Sequence, residues 1–127
     1  HIPTEWHNRL NCSAKLVLNI NRQAMADYGF SPPTRVFEAA GAGACIVTDN
    51  WEGIETFLVP GEEVLVASSS EEVANYLSTI SPERAKYIGR LARERVITEH
   101  SYERRGQQLQ QLLNRLFNSI RPPNVWP

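Results

Sequence analysis

Residues 29–55 read GFSPPTRVFEAAGAGACIVTDNWEGIE, and this stretch decides the fold class. It runs from a helix start through a short helix and two spaced glycines into an apolar strand and an acidic loop. Ser31 has the side chain of an N-cap, and Pro32 suits the first helical position, where a missing N–H costs nothing. The helix is expected to run to Ala42. Val36, Ala39, Ala40 and Gly43 give it a small-residue face that can lie close to a sheet. Gly43 reads as the glycine that ends the helix. Residues 44–48, ACIVT, then form a short buried strand, and Asp49 to Pro60 is a loop with a helical turn at 53–58.

Upstream, KLVLNI (15–20) is continuously apolar and too short for a helix, the pattern of a strand covered on both faces. A helix over 4–13 precedes it, opened at Thr4, with Trp6 and Leu10 on one face. NRQAMADYG (21–29) supplies one or two helical turns ended by Gly29. Downstream, Pro60-Gly61 is a turn, EVLVA (63–67) a third strand, and Ser69 with Glu72 a capping box that opens a helix over 71–80. Ser81-Pro82-Glu83 opens another, with an apolar stripe of Ala85, Ile88, Leu91, Ala92 and Val96 to Thr98. Ser101 caps a last helix, which Arg121-Pro122-Pro123 stops. Short buried strands alternating with helices imply an α/β fold with a three-stranded parallel sheet, flanking helices and a helical C-terminus. The domain is expected over 1–120, with a tail at 121–127.

The chain has 127 residues, enough for one core, and its 42% hydrophobic and 21% charged residues are those of an ordinary soluble domain. A formal net charge of −1 supplies no field for nucleic acid or an anionic membrane, and the longest apolar run is far too short to span a bilayer. Cys12 and Cys45 lie beside or within apolar segments without a CxxC partner. Two buried free thiols are therefore expected, as in a reducing cytoplasm. His1, His7 and His100 lack metal-ligand spacing, so no metal site is expected. The first residue is His1, not Met, and no signal peptide follows it, which suits a tag remnant or a cut within a longer protein.

In open parallel sheets ligands bind beyond the carboxyl ends of the strands. Those ends are 19–22, 48–54 and 67–70, and the helix start at 31–35 points to the same edge. A helix N-terminus is an anion site, and Arg22 and Arg35 add full positive charge. Glu38 can take both hydroxyls of a ribose diol, or it can pair with Arg35 at the surface. Trp51 reads equally as a stacking surface for a base or sugar and as a half-buried anchor. Glu55 reads as a ligand contact or a structural charge. Glu62, Glu63, Glu71 and Glu72 read as solvated charges. No Ser-His-Asp order, P-loop or GxGxxG is present.

Four segments in order, Leu18–Arg22, Gly29–Ala39, Thr48–Glu55 and Pro60–Val66, resemble the donor-binding segment of GT-B nucleotide-sugar glycosyltransferases. The similarity is to the "glycosyl transferases group 1" type, in the branch related to spore maturation protein CgeB. The resemblance implies a partial Rossmann-like domain whose strands are the last three of a 3-2-1-4-5-6 sheet. It implies a nucleotide-sugar donor, no cofactor or metal, and an acceptor domain upstream that this chain lacks. By resemblance Glu38 binds ribose, and the donor site draws on Arg22, Ser31, Pro32, Thr34, Arg35, Asp49, Trp51, Gly53 and Glu55. In the wider family a Glu-x7-Glu pair contacts the donor. Phe30 stands where the first of that pair belongs, which leaves Arg35 or Glu55 to replace it. No catalytic residue is implied, and the fragment alone is expected to be inactive. Two alternatives stand beside this: a non-catalytic module that self-assembles as a homodimer through its open sheet edge, and a GT-B sugar-nucleotide epimerase.

Overall fold

The computed structural model describes residues 3–120, excepting the side chains of Thr4, Ser119 and Ile120. The tail at 121–127, with the expected helix stop, lies outside the described residues. The sheet is built on β2 (Ile46–Asp49), with β1 (Val17–Asn19) on one side and β3 (Leu65–Ala67) on the other, both parallel to it. The register sets Asn19 beside Thr48 and Thr48 beside Val66. Strand side chains alternate between faces, so β2 feeds two cores. Ile46 joins Val36, Ala39 and Ala40 of α3 (Thr34–Gly41). Cys45 and Val47 join Leu65 and Ala67, closed by Val73 and Tyr76 of α4 (Ser70–Thr79). The long helix α5 (Pro82–Glu99) serves both, with Ala92 and Val96 in the first core and Ala85 and Ile88 in the second. Coverage on both faces is why β2 is apolar without interruption until Thr48.

The start of α3 departs from the expectation. The helix begins at Thr34, its N-cap position is Pro33 in an extended conformation, and no side chain caps it. The ring of Pro33 disfavours helical backbone at Pro32, so Pro32 cannot be the first helical residue and Ser31 cannot be its cap. The far end is as expected. Gly43 has φ 77, its N–H donates to Ala40 O at 2.8 Å, and the Ala44 N–H donates to Ala39 O at 3.0 Å. That pair of bonds is a Schellman motif. Ser69 Oγ accepts from Glu72 N at 3.3 Å, while the Glu72 carboxylate takes the Ser68 N–H at 2.7 Å, so the box is offset by one residue. Ser81 Oγ accepts from Arg84 N at 3.1 Å with Pro82 in the first turn, and Ser101 Oγ accepts from Arg104 N at 3.3 Å at the start of α6 (Tyr102–Ile120).

Three further expectations are corrected. β1 is not covered on both faces: Leu18 is 45% exposed and Ile20 69%, because no described element lies beyond that edge. Glu63 is not solvated. Its Oε2 accepts from Val59 N at 2.8 Å and from Arg95 Nε at 3.1 Å, and Arg95 also reaches Glu99 at 2.9 Å. Cys12 is exposed, and only Cys45 is buried; its desolvated thiol is pushed up to about 11. No helix among the described residues is long and apolar enough to cross a membrane.

Gly89 of α5 lies against the Gly43 carbonyl, and a β-carbon there would overlap that backbone. Gly89→Ala is therefore expected to destabilise the fold by about 2 kcal/mol in urea denaturation, despite its better helix propensity. His100 sits against Phe37 and Phe57; Nε2–H donates to Phe57 O at 3.0 Å, and Nδ1 accepts from Arg105 Nη2 at 2.7 Å. Burial holds the ring below the usual 6.5, so the folded state disfavours the proton that the unfolded chain accepts. This contribution to stability is present above pH 6.5 and is lost as pH falls through the lower folded value. The melting temperature is expected to fall between pH 7.5 and about 5.5, and to fall less in His100→Gln.

Candidate functional site

The carboxyl ends of β1 and β2 carry polar side chains where the preceding residues are apolar. Asn19 is fully buried, and its Nδ2 donates to Thr48 Oγ1 at 3.0 Å and to Asn21 Oδ1 at 3.3 Å. Thr48 Oγ1 donates to Asp49 Oδ1 at 3.2 Å, and the same carboxylate oxygen accepts the Asn21 backbone N–H at 3.1 Å. The network closes β1 onto β2 and sets where the chain leaves the sheet. It also fixes the Asn21 amide: its oxygen faces the Asn19 donor, which leaves its Nδ2 buried without a partner.

Beyond these ends lies a cleft of about 430 Å³ between the β1 exit and the start of α3. It is lined by Asn19, Asn21 and Arg22 with Met25 of α2 (Gln23–Tyr28) on one side and by Pro32 to Arg35 with Glu38 on the other, and His7 of α1 (Thr4–Ser13) also lines it. Arg35 and Glu38 are exposed and form no ion pair with each other, so both heads are open to an occupant. Thr34 and Arg35 are the first residues of α3, where backbone N–H groups lack helical partners. The cleft therefore joins positive charge, free N–H donors and one carboxylate.

Five expected site residues meet here: Arg22, Pro32, Thr34, Arg35 and Glu38. Asp49 touches the cleft through Asn21 and also lines an adjoining hollow of about 310 Å³ with Ser68, Ser69 and Ser70. Ser31 and Glu55 are not among the cleft's lining residues. Trp51 is only 4% exposed and packs in the first core beside Phe57, which leaves no ring face for a ligand. Gly53 is buried at φ 90, on the turn after β2. Asn19, Asn21, His7 and Met25 were not singled out by sequence. The asparagines had a signal, two amides at the end of an apolar strand, whereas His7 arrives only through tertiary packing. Among the described residues no three carboxylates, thiols or imidazoles gather to hold a metal ion. A smaller hollow of about 260 Å³, lined in part by Cys12, Lys15 and Lys86, lies at the amino ends of the strands, away from the edge where parallel sheets place ligands.

Asn19→Ala removes the donor shared by Thr48 and Asn21 inside the protein. It is expected to cost about 2 kcal/mol of stability by denaturant titration, as expected for a buried hydrogen-bonded group.

The sequence matches the family model described as "Glycosyl transferase-like" over residues 1–111. No curated protein matches the chain. Among solved structures, sucrose-phosphate synthase from Thermosynechococcus elongatus is similar, with a TM-score of 0.73 at 22% identity over 94% of this chain. The chain spans 29% of the length of that structure. The likeness carries the fold: a three-stranded parallel piece of a GT-B, Rossmann-like domain with flanking helices. Since the family model covers most of its length, the chain belongs to the glycosyl transferase-like family.

Proposed function

We propose that the cleft between β1 and α3 holds the nucleoside diphosphate of a sugar-nucleotide donor, in a protein that transfers the sugar to an acceptor. One observation carries the reading: Glu38, Arg35, Arg22 and the free first turn of α3 converge on a single cleft at the carboxyl edge of the sheet. The Glu38 carboxylate takes the two hydroxyls of the ribose. The N–H groups of Thr34 and Arg35 and the two guanidinium groups take the phosphates. The protein contributes orientation of the donor and electrostatic stabilisation of the leaving diphosphate, with no metal required. The chain spans 29% of the length of the similar solved structure, and these residues alone are expected to bind the donor without transferring the sugar. An epimerase would use the same donor cleft and differs in turning over a sugar nucleotide with no acceptor present.

A second reading has its own observation. Leu18 and Ile20 stand exposed on the free edge of the sheet, which suits pairing with a second copy. Sedimentation separates the two, since the donor reading does not need a dimer.

Calorimetric titration with UDP, GDP and ADP tests the donor reading. At least one is expected to bind, and Glu38→Ala and Arg35→Ala are each expected to weaken it about tenfold, since each removes a hydrogen bond to a charged group. Neither should lower the melting temperature, because both side chains are exposed. Unchanged affinity in Glu38→Ala would sink the ribose role.

A further inference from the structure

The hollow of about 260 Å³ at the amino ends of the strands is walled by three parts of the chain. They are the end of α1 with Lys15, the turn from Gly43 to Cys45, and the first turns of α5 with Lys86. Lys15 and Lys86 line it, and no carboxylate does. Arg93 lies over the Gly43 turn, with its Nε donating to Gly41 O at 3.2 Å. The Arg84 guanidinium is near enough to favour a Cys45 thiolate, yet burial outweighs it and keeps the thiol neutral, pushed up to about 11. The whole chain carries a formal net charge of −1, so cations gathered around one hollow are a local arrangement and not the average of the surface.

Both ammonium groups have donors to spare. Lys15 Nζ gives one to Leu77 O at 2.8 Å, which fixes its place and leaves two. Lys86 makes no hydrogen bond or ion pair among the described residues. Its charge reaches Glu83, which is exposed and forms no ion pair with it. The helix fields add to this. α5 begins at the hollow, and the positive end of its 18-residue dipole favours an anion there. The carboxyl end of α1 opposes it less, because Ser13 Oγ–H donates to Arg9 O at 2.6 Å and the Ala14 N–H to Leu10 O at 2.9 Å.

We propose that this hollow is a second anion site, which takes a small phosphate-bearing molecule between Lys15, Lys86 and the start of α5. Lysine holds a phosphate as a point charge, whatever the rotation of the phosphate oxygens. The space is below the ~300–1,000 Å³ of pockets that enclose drug-sized ligands, which restricts the occupant to a small one. The site lies at the opposite end of the strands from the donor cleft and does not depend on the donor reading.

Inorganic phosphate and glycerol phosphate, titrated at constant ionic strength and followed through backbone amide NMR signals, test the proposal. At least one is expected to shift the amides of Cys12, Ala44 and Lys86 saturably. Tighter binding of the ester marks a phosphorylated metabolite as the ligand, and equal affinity marks phosphate itself. Lys86→Ala is expected to weaken this binding about tenfold and Lys86→Glu to abolish it, while Lys86→Arg retains it. Lys86→Ala should melt as the wild type does, since the side chain is exposed, so its loss of affinity is not a loss of fold. Arg35→Ala, in the donor cleft, should leave the affinity within about twofold. Three results would overturn the proposal. These are no saturable shift at the hollow with either ligand, shifts confined to Thr34, Arg35 and Glu38, and unchanged affinity in Lys86→Ala. The second would assign the phosphate to the donor cleft alone.

Discussion

The structure depends on how α3 is held at its two ends. At its start, Pro33 disfavours helical backbone at Pro32 and is itself extended, and the helix begins at Thr34. At its finish, the Schellman bonds to Ala39 and Ala40 turn the chain at Gly43 directly into the strand that becomes β2. The outer face of that turn is where Gly89 of α5 closes down, carbonyl against Cα, with no room for a side chain. Between its fixed ends α3 presents Val36, Ala39 and Ala40 to the sheet, and small side chains there let the helix lie near β2. One face buried against the sheet leaves Arg35 and Glu38 on the open side. Their aim is therefore a consequence of backbone constraints at both ends of the helix, not of contacts of their own.

A second constraint works at right angles to the first. Along β1 and β2 the cores demand apolar residues, yet the last residues of both strands are polar. Asn19, Thr48, Asp49 and Asn21 satisfy most of one another's hydrogen-bonding groups, which makes their burial tolerable. The network ties the exit of β1 to the exit of β2, and the contact of Phe30 with Glu52 and Gly53 ties together the loops that follow. Both walls of the cleft are thus anchored to β2. The unpaired Nδ2 of Asn21 and the unpaired Nε1 of Trp51 are the exceptions, and both lie next to this edge of the sheet.

Elsewhere the surface carries large apolar side chains. Trp6 and Leu10 of α1, Leu18 and Ile20 of the β1 segment, and Leu109, Leu112 and Leu113 of α6 are exposed. Exposed apolar side chains gathered on the faces of regular elements are characteristic of surfaces that meet something else.

Much of this was legible in the sequence because it is local. Period, length and glycine placement marked the three strands and their order of appearance, and Gly43, Ser81-Pro82 and Ser101 marked helix ends whose hydrogen bonds close within a few residues. The Ser31 cap was misread because two local signals competed: a good cap residue followed by proline at the first helical position, against a second proline that forbids helix before it. Glu63 could not be read from its surroundings, since Arg95 lies 32 residues away. Trp51, equally suited to a ligand or a core, went to the core because α3, the turn after β2 and α5 converge on it. The sequence by itself determined the elements, their parallel arrangement and the residue types at the sheet's edge, since backbone propensity and hydrophobic period act over short spans. The tertiary structure alone decided which of those residues share a cleft, which ring is buried and which is displayed. Burial and side-chain pairing depend on chain segments that are distant in sequence and meet only when the sheet and helices pack.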